Sequence, residues 1–318
     1  MTETYNQPLS GNEMPRYSGP GTMFRLPAQN NAAGLDVAIV GVGLDIGTSN
    51  RNGTRYGPRQ IRNESTLVRP YGMATGAAPF DSFQIADVGD VPLNSYNLLK
   101  SIAIIEHFFD DVLSHGAKSV TVGGDHTIAL PILRAVAKKH GPVALVHVDA
   151  HADVNDSMFG EEITHGTIFR RAIEEGLVQP TKMVQIGLRA TGYEPGDFNW
   201  SREQGARVVE AEECWYRSLA PLMDEVREQI GPKVPTYLSF DIDGLDPSVA
   251  PGTGTPEPAG LTTSQGLEII RGCIGLNIVG CDLVEVSPPY DPSGNTALLA
   301  ANLVFEMLCA LPGCVRKK

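Results

Sequence analysis

Four aspartates and two histidines crowd into two short stretches, His147-Val148-Asp149-Ala150-His151-Ala152-Asp153 and Ser239-Phe240-Asp241-Ile242-Asp243. Each closes an apolar or β-branched run, Val143 to Val148 and Val234 to Phe240. Carboxylates packed this densely at a buried strand end repel one another. Charges are tolerated there only when paired or coordinating a metal. A further polar group, Gly123-Gly124-Asp125-His126, follows the run Ser119 to Val122. On a strand, residues two apart share a face, so Asp241 and Asp243 project toward one site. Asp149, His151 and Asp153 repeat that spacing where strand gives way to loop. Mixed carboxylate and imidazole donors suit Mn²⁺, and Fe, Co, Ni or Zn would also fit. The donors His126, Asp149, His151, Asp153, Asp241 and Asp243 are too many for one ion that keeps a water. They suit two ions sharing carboxylates, which at a separation of about 3.5–4 Å can hold and deprotonate a water between them. Any one of these residues alone reads as a turn former, helix cap or core histidine; three such clusters at three strand ends do not.

These groups need a frame that brings strand ends together. Strands are expected over Leu35–Val42, Ser119–Val122, Val143–Asp149, Met183–Leu188, Arg207–Ala211, Thr236–Asp241 and Ile278–Val286, with a weaker one at Gln84–Val88. Several are apolar throughout, as in a parallel sheet covered on both faces. Between them lie amphipathic helices. Ser95 to Ser114 carries Leu98, Ile102, Ile105, Phe109 and Val112 on one face, with Gly116 placed as its C-terminal glycine. Ala129 to Lys139 ends before Gly141, and Leu219 to Ile230 repeats the helical spacing. The pattern implies one three-layer α/β/α domain over residues 35–318 with a central, mainly parallel eight-stranded sheet. Before it, residues 1–34 form an irregular arm broken by Pro8, Pro15, Pro20 and Pro27. Ligands in such folds bind beyond the carboxyl ends of the strands. The two Asp/His clusters, His126 and Glu285 all fall there.

Composition narrows the partners. A net charge of −12 argues against nucleic acid, whose phosphates need clustered Lys and Arg. No apolar run approaches the roughly 20 residues that cross a bilayer, and the polar N-terminus is unlike a signal peptide. The expectation is a soluble cytoplasmic protein with a small-molecule ligand. Five cysteines with no C-x-x-C pair form neither a disulfide framework nor a zinc knuckle. Gly41-Val42-Gly43 after the first strand imitates a dinucleotide fingerprint, but Ile46 stands where its third glycine is required.

On Gly123-Gly124-Asp125-His126, Asp149-Ala150-His151-Ala152-Asp153, Ser239-Phe240-Asp241-Ile242-Asp243-Gly244-Leu245-Asp246-Pro247 and Glu285-Val286-Ser287-Pro288, the chain resembles the ureohydrolases: arginases, agmatinases, guanidinobutyrases and their relatives. The resemblance covers Val40 to Leu308. It implies the arginase-like fold, two Mn²⁺ per subunit (Ni²⁺ or Co²⁺ would also serve), hydrolysis of a guanidinium to urea and an amine, and a homo-trimer or hexamer. A hetero-oligomer with a second chain stays open, although no metal-donor residue is lost here. By position, His126, Asp149, Asp153 and Asp241 resemble the ligands of one ion. Asp149, His151, Asp241 and Asp243 resemble those of the other, with Asp149 and Asp241 bridging. Glu285 takes the place of the carboxylate that orients the guanidinium, and His165 that of the proton-shuttling histidine; Asp153 is the alternative proton donor.

The substrate's tail is less legible. Val154-Asn155-Asp156-Ser157-Met158-Phe159-Gly160 lacks the longer Ser/Thr-rich loop of arginases. It is most similar, with Arg69 to Gly76, to bacterial guanidinobutyrases, which implies 4-guanidinobutyrate as substrate. Asn155 is the candidate for the tail's far end and Met158 for an apolar wall. Gly43 replaces a family proline, and a wider pocket there would admit an N-alkylated guanidine or a biguanide such as metformin. Agmatine and guanidinopropionate stay open as well.

Overall fold

A computed structural model describes residues 5–317. Eight strands, β1 (Val37–Val42), β2 (Ile85–Asp90), β3 (Lys118–Gly123), β4 (Val143–Val148), β5 (Val178–Leu188), β6 (Arg207–Glu210), β7 (Pro235–Asp241) and β8 (Asn277–Val284), make one sheet. Their order is β2-β1-β3-β8-β7-β4-β5-β6, and every neighbouring pair is parallel. The sheet is thus parallel throughout, where a mainly parallel one was expected.

The continuous apolar runs have the anticipated cause. Val37 and Ile39 enter one core, while Ala38, Val40 and Val42 enter the other. The first core packs under the helices Gly57–Ser65, Ala220–Ile230, Thr263–Gly272 and Asn295–Ala310; the second packs under Leu98–Ser114, Ala129–His140 and Ile168–Glu174. With both faces covered, residues on either side of the central strands are buried, and polar ones such as Thr121 and Ser239 are buried as fully as their apolar neighbours.

Where boundaries moved, the reason is local. The helix expected from Ser95 starts at Leu98, because the Asn97 side chain caps it by accepting from the Lys100 N–H at 2.9 Å. Strand β5 begins five residues before the apolar run Met183–Leu188. After buried Val178, residues 179–182 are partly or fully exposed and fall at a register shift against β4, so they interrupt the apolar signal. The helix Asn295–Ala310 is buried on nearly all sides and therefore shows no amphipathic stripe. All five cysteines are free.

Among the described residues the arm preceding β1 contains no long helix or strand, yet Met23, Phe24 and Leu26 are buried. Phe24 meets Phe80 and Phe305 edge-on, with ring centres 5.9 and 6.2 Å apart. The Met23 N–H donates to Asp87 Oδ2 at 2.7 Å, and the same carboxylate holds buried Arg62.

For function, the decisive feature is register. Val122 lies opposite Leu283, Leu283 opposite Phe240, and Phe240 opposite Val148. The four central strands β3, β8, β7 and β4 therefore end level. Asp241 and Asp149 stand one residue beyond that row, and His126 and Glu285 follow from the flanking strands. Replacing Phe80 by Ala should remove the clasp between the arm and the core. We expect a loss of about 3–5 kcal/mol, read as a lower denaturation midpoint.

Candidate metal centre and active site

The turn after β3 is set by backbone contact. Gly124 N–H donates to Val42 O at 2.8 Å, and a Cβ at 124 would lie 2.1 Å from Leu44 O, so only glycine fits. Asp125 accepts from the N–H groups of Gly47 (2.9 Å) and Thr127 (3.0 Å), tying this turn to the loop after β1. His126 is thereby carried into the middle of the sheet edge.

Two nests of donors form there. His126 Nδ1 lies 3.2 Å from Asp149 Oδ2, 3.0 Å from Asp153 Oδ2 and 3.4 Å from Asp241 Oδ2. His151 Nδ1 lies 3.4 Å from Asp149 Oδ1 and 3.2 Å from Asp243 Oδ2. Asp149 thus turns one oxygen to each nest, which is the disposition of a bridging carboxylate. Asp241 turns Oδ2 to the first nest, while its Oδ1 accepts from the Asp243 N–H at 2.8 Å, as Asp149 Oδ1 accepts from the His151 N–H at 2.7 Å. The His151 side chain is 27% exposed and marks the solvent side; the four carboxylates and His126 are buried. Asp153 sits at φ +54° and Glu285 at φ +66°, left-handed conformations that cost non-glycine residues energy and cluster at working sites.

Electrostatics state what the site lacks. Burial alone would favour a neutral His126, but Asp149, Asp153 and Asp241 outweigh it and push its pKa well above the ordinary range. His151 is driven the same way, against burial, by Asp243 and Asp149. Burial, and then the charges of Asp243 and Asp149, push Asp241 well up. Each shift expresses a demand for positive charge among these carboxylates. The form of that charge follows from hydrogen bonding. Tyr237 OH and Ser239 Oγ both donate to Asp282, at 2.8 and 2.6 Å. Ser239 Oγ must then accept from His126 Nε2–H at 2.9 Å. Nδ1 is then the nitrogen left to face the three carboxylates; it is fully buried and makes no aligned hydrogen bond among the described residues. This donor set fits a pair of divalent ions.

Glu285 and His165 flank the nests. Glu285 Oε1 accepts from the His126 N–H at 2.8 Å and lies 3.3 Å from His165 Nδ1. Its Oε2 is buried and has no hydrogen-bond partner among the described residues. The other ring nitrogen of His165, Nε2, is 2.8 Å from Ser49 Oγ.

The Arginase family profile matches residues 35–309. Guanidinobutyrase of Pseudomonas aeruginosa is 66% identical over the full length of both chains. Mitochondrial agmatinase of Gallus gallus is 60% identical over 97% of this chain and 91% of that one. Among solved structures, proclavaminate amidinohydrolase of Streptomyces clavuligerus superposes with a TM-score of 0.88 at 40% identity, covering 93% of this chain and 99% of that one. The chain belongs to the arginase family. It is an enzyme of the ureohydrolase type, with a binuclear metal site whose candidate donors are those above.

In this arginase-family chain the nests open into a cleft of about 580 Å³ lined by His151, Asp153, Asn155, Met158, His165 and Tyr193, among others. Asn155 is fixed by its Nδ2, which donates to Gly166 O at 3.0 Å. Met158 pairs with Glu161 across a tight turn whose central residues, Phe159 and Gly160, are left-handed. A Cβ on Gly166 would strike the Met158 sulfur, so the methionine packs directly over the segment carrying His165. Gly43 is a correction: it does not line the cleft. A Cβ there would lie 2.8 Å from the Arg55 carbonyl, so the glycine serves close backbone approach and opens no pocket.

Several supporting residues escaped sequence reasoning. Arg189 donates to the carbonyls of Asp243 (2.8 Å) and Glu257 (2.6 Å), stapling the loop after β7. Ser239 and Asp282 orient His126, and His147 Nε2 lies 2.8 Å from Asp149 Oδ2. The available signal was a polar residue inside an otherwise apolar, doubly covered strand, as at His147, Gln185 and Asp282.

Burial would lower the His165 pKa, but the Glu285 carboxylate overrides it and raises the value to about 9. A raised folded-state pKa stabilises the fold fully below the unfolded value, about 6.5. That stabilisation is lost as pH climbs through 9. Protein stripped of divalent ions should therefore show a difference in unfolding free energy from His165→Asn that shrinks steadily between pH 6.5 and 9.

Proposed function

We propose that this chain hydrolyses a guanidino acid, with 4-guanidinobutyrate as the leading substrate, to urea and an amine, using two Mn²⁺ ions held by His126, Asp149, His151, Asp153, Asp241 and Asp243. The observation that carries the reading is Glu285 Oε2, a buried and unpartnered carboxylate oxygen beside two cation-seeking nests. A planar guanidinium, whose N–H groups need an acceptor, matches it.

Divalent ions bound in the nests would lower the pKa of a water enough to supply a nucleophile near neutral pH. Glu285 orients the guanidinium by accepting its N–H hydrogens and lets its positive charge persist in a buried place. Water adds to the guanidinium carbon, and the bond from that carbon to the alkyl-bearing nitrogen breaks. The departing nitrogen needs a proton. We assign its delivery to His165, a reading supported by the contacts of that ring with Glu285 and Ser49, with Asp153 as the alternative donor.

The carboxylate tail is supported by the 66% identity to a guanidinobutyrase. It is also supported by Arg51, which lines the cleft, stacks on Tyr290 at 4.9 Å, and pairs with no carboxylate among the described residues. Asn155 and Met158 are the proposed tail contacts. Mn²⁺ is favoured over Ni²⁺ or Co²⁺ because carboxylate donors outnumber imidazoles. No helix among the described residues is long and apolar enough to cross a membrane. A cytoplasmic homo-trimer or hexamer rests on the family resemblance, and co-purification of a second polypeptide would argue for a mixed assembly instead.

Urea release should be measured with 4-guanidinobutyrate, 3-guanidinopropionate, agmatine, arginine and metformin. Preference for 4-guanidinobutyrate is the expected result, and preference for agmatine would overturn the anionic tail. Chelation should abolish turnover and Mn²⁺ should restore it, with Ni²⁺ and Co²⁺ assayed in parallel. His165→Ala should lower kcat by roughly 10²–10⁴-fold with little change in KM; undiminished turnover would exclude it as the proton donor.

A further inference from the structure

Asp149 turns one oxygen to each nest, and a residue outside the proposed ligand set holds it. His147, fully buried on β4, places Nε2 2.8 Å from Asp149 Oδ2. Its Nδ1 is 2.9 Å from Nε2 of Gln185, the residue directly opposite on β5. The same Gln185 nitrogen donates to Ala152 O at 2.8 Å. A carbonyl can only accept, so the amino end of the Gln185 amide must face Ala152 and His147 together. Nδ1 is then the acceptor, and the ring proton sits on Nε2, directed at Asp149. The ring cannot swing away: Phe169 packs against it with centres 4.3 Å apart, and the His126 ring lies 5.3 Å off.

By proximity alone His147 could be counted with His126, Asp149 and Asp153 as a corner of a metal cluster. Its hydrogen bonds give it another task, since both ring nitrogens are engaged. We infer that His147, locked as the Nε2–H tautomer by Gln185, is a positioning residue that fixes the Asp149 carboxylate where its two oxygens serve the two ion sites, and that it is not an ion ligand. The inference rests on the two-ion reading above. Without this N–H, only the His151 N–H, 2.7 Å from Oδ1, would hold Asp149 against repulsion from Asp153, Asp241 and Asp243, and Oδ2 would lose its anchor. Partners of this kind are typically worth 10–100-fold in metal affinity.

Two variants and one spectrum test it. His147→Phe keeps a ring against Phe169 but removes the donor; Gln185→Leu keeps bulk but releases the tautomer. Competition with a chromophoric chelator should show Mn²⁺ bound about 10–100-fold more weakly in each. The double variant should be no weaker than His147→Phe, because the two residues act through one relay. At saturating Mn²⁺ both variants should still bind two ions, with KM unchanged. Nitrogen NMR of the full-length protein freed of divalent ions should place the His147 proton on Nε2. A proton on Nδ1, an affinity within twofold of wild type, or loss of one ion from the stoichiometry of His147→Phe would each overturn the inference. Gln185→Leu and the NMR measurement carry the test should His147→Phe fail to fold. Wild-type protein that binds no divalent ion would overturn the two-ion reading and this inference with it. Wild-type protein with two ions, beside variants of equal affinity, would overturn the inference alone.

Discussion

Mutual repulsion among Asp149, Asp153, Asp241 and Asp243 is the constraint around which this molecule is arranged. Four carboxylates at a buried sheet edge cannot persist without positive charge between them, and burial makes the demand larger. Two imidazoles share the space but cannot both supply protons and present lone pairs. The Ser239–Asp282–Tyr237 relay fixes the ring of His126: with Ser239 Oγ donating to Asp282, Nε2 donates to Ser239 and Nδ1 is the nitrogen turned to the carboxylates. The chain thus presents a set of donors that cations can take. That makes ion binding a condition of the site's stability as well as of its chemistry.

The rest of the fold serves to hold that unfavourable arrangement still. Level strand ends bring the donors together, and doubly covered strands keep water from relaxing them. Close backbone approach at Gly124 admits no side chain, so the turn bearing His126 cannot drift from the loop after β1. The cost appears where expected, as left-handed backbone at Asp153 and Glu285, two of the residues nearest the proposed chemistry. Arg189, by collecting carbonyls from both ends of the segment Asp243 to Glu257, secures the loop that carries the second nest.

Chemistry and selectivity are built from different parts of the chain. The hydrolytic centre stands on rigid strand ends. The tail of the substrate would meet a loop rim: the turn bearing Met158, the Asn155 amide bound to Gly166, and Arg51 stacked on Tyr290. Members of the arginase family can therefore share a centre and still differ in substrate, because changing the rim does not disturb the repulsion balance beneath it.

By itself the sequence determined the chemistry of the centre. Asp and His at i, i+2 and i+4 after apolar runs can be satisfied by few arrangements, and uniformly apolar strands imply a sheet covered on both faces. What it could not determine was adjacency. Strands β3, β8, β7 and β4 lie side by side although their chain order differs, so His126 and Glu285, 159 positions apart, share a hydrogen bond. Register fixed which oxygens face which nest, and so set Asp149 with one oxygen toward each. The orienting residues His147, Gln185, Ser239 and Asp282 stood out as polar positions in covered strands, but what they orient was hidden for the same reason. Their partners lie on neighbouring strands, and a hydrogen bond across a sheet leaves no spacing in the chain. Gly43 shows the converse: its departure from the family residue suggested a wider pocket, but only the fold revealed that its open side faces the Arg55 backbone.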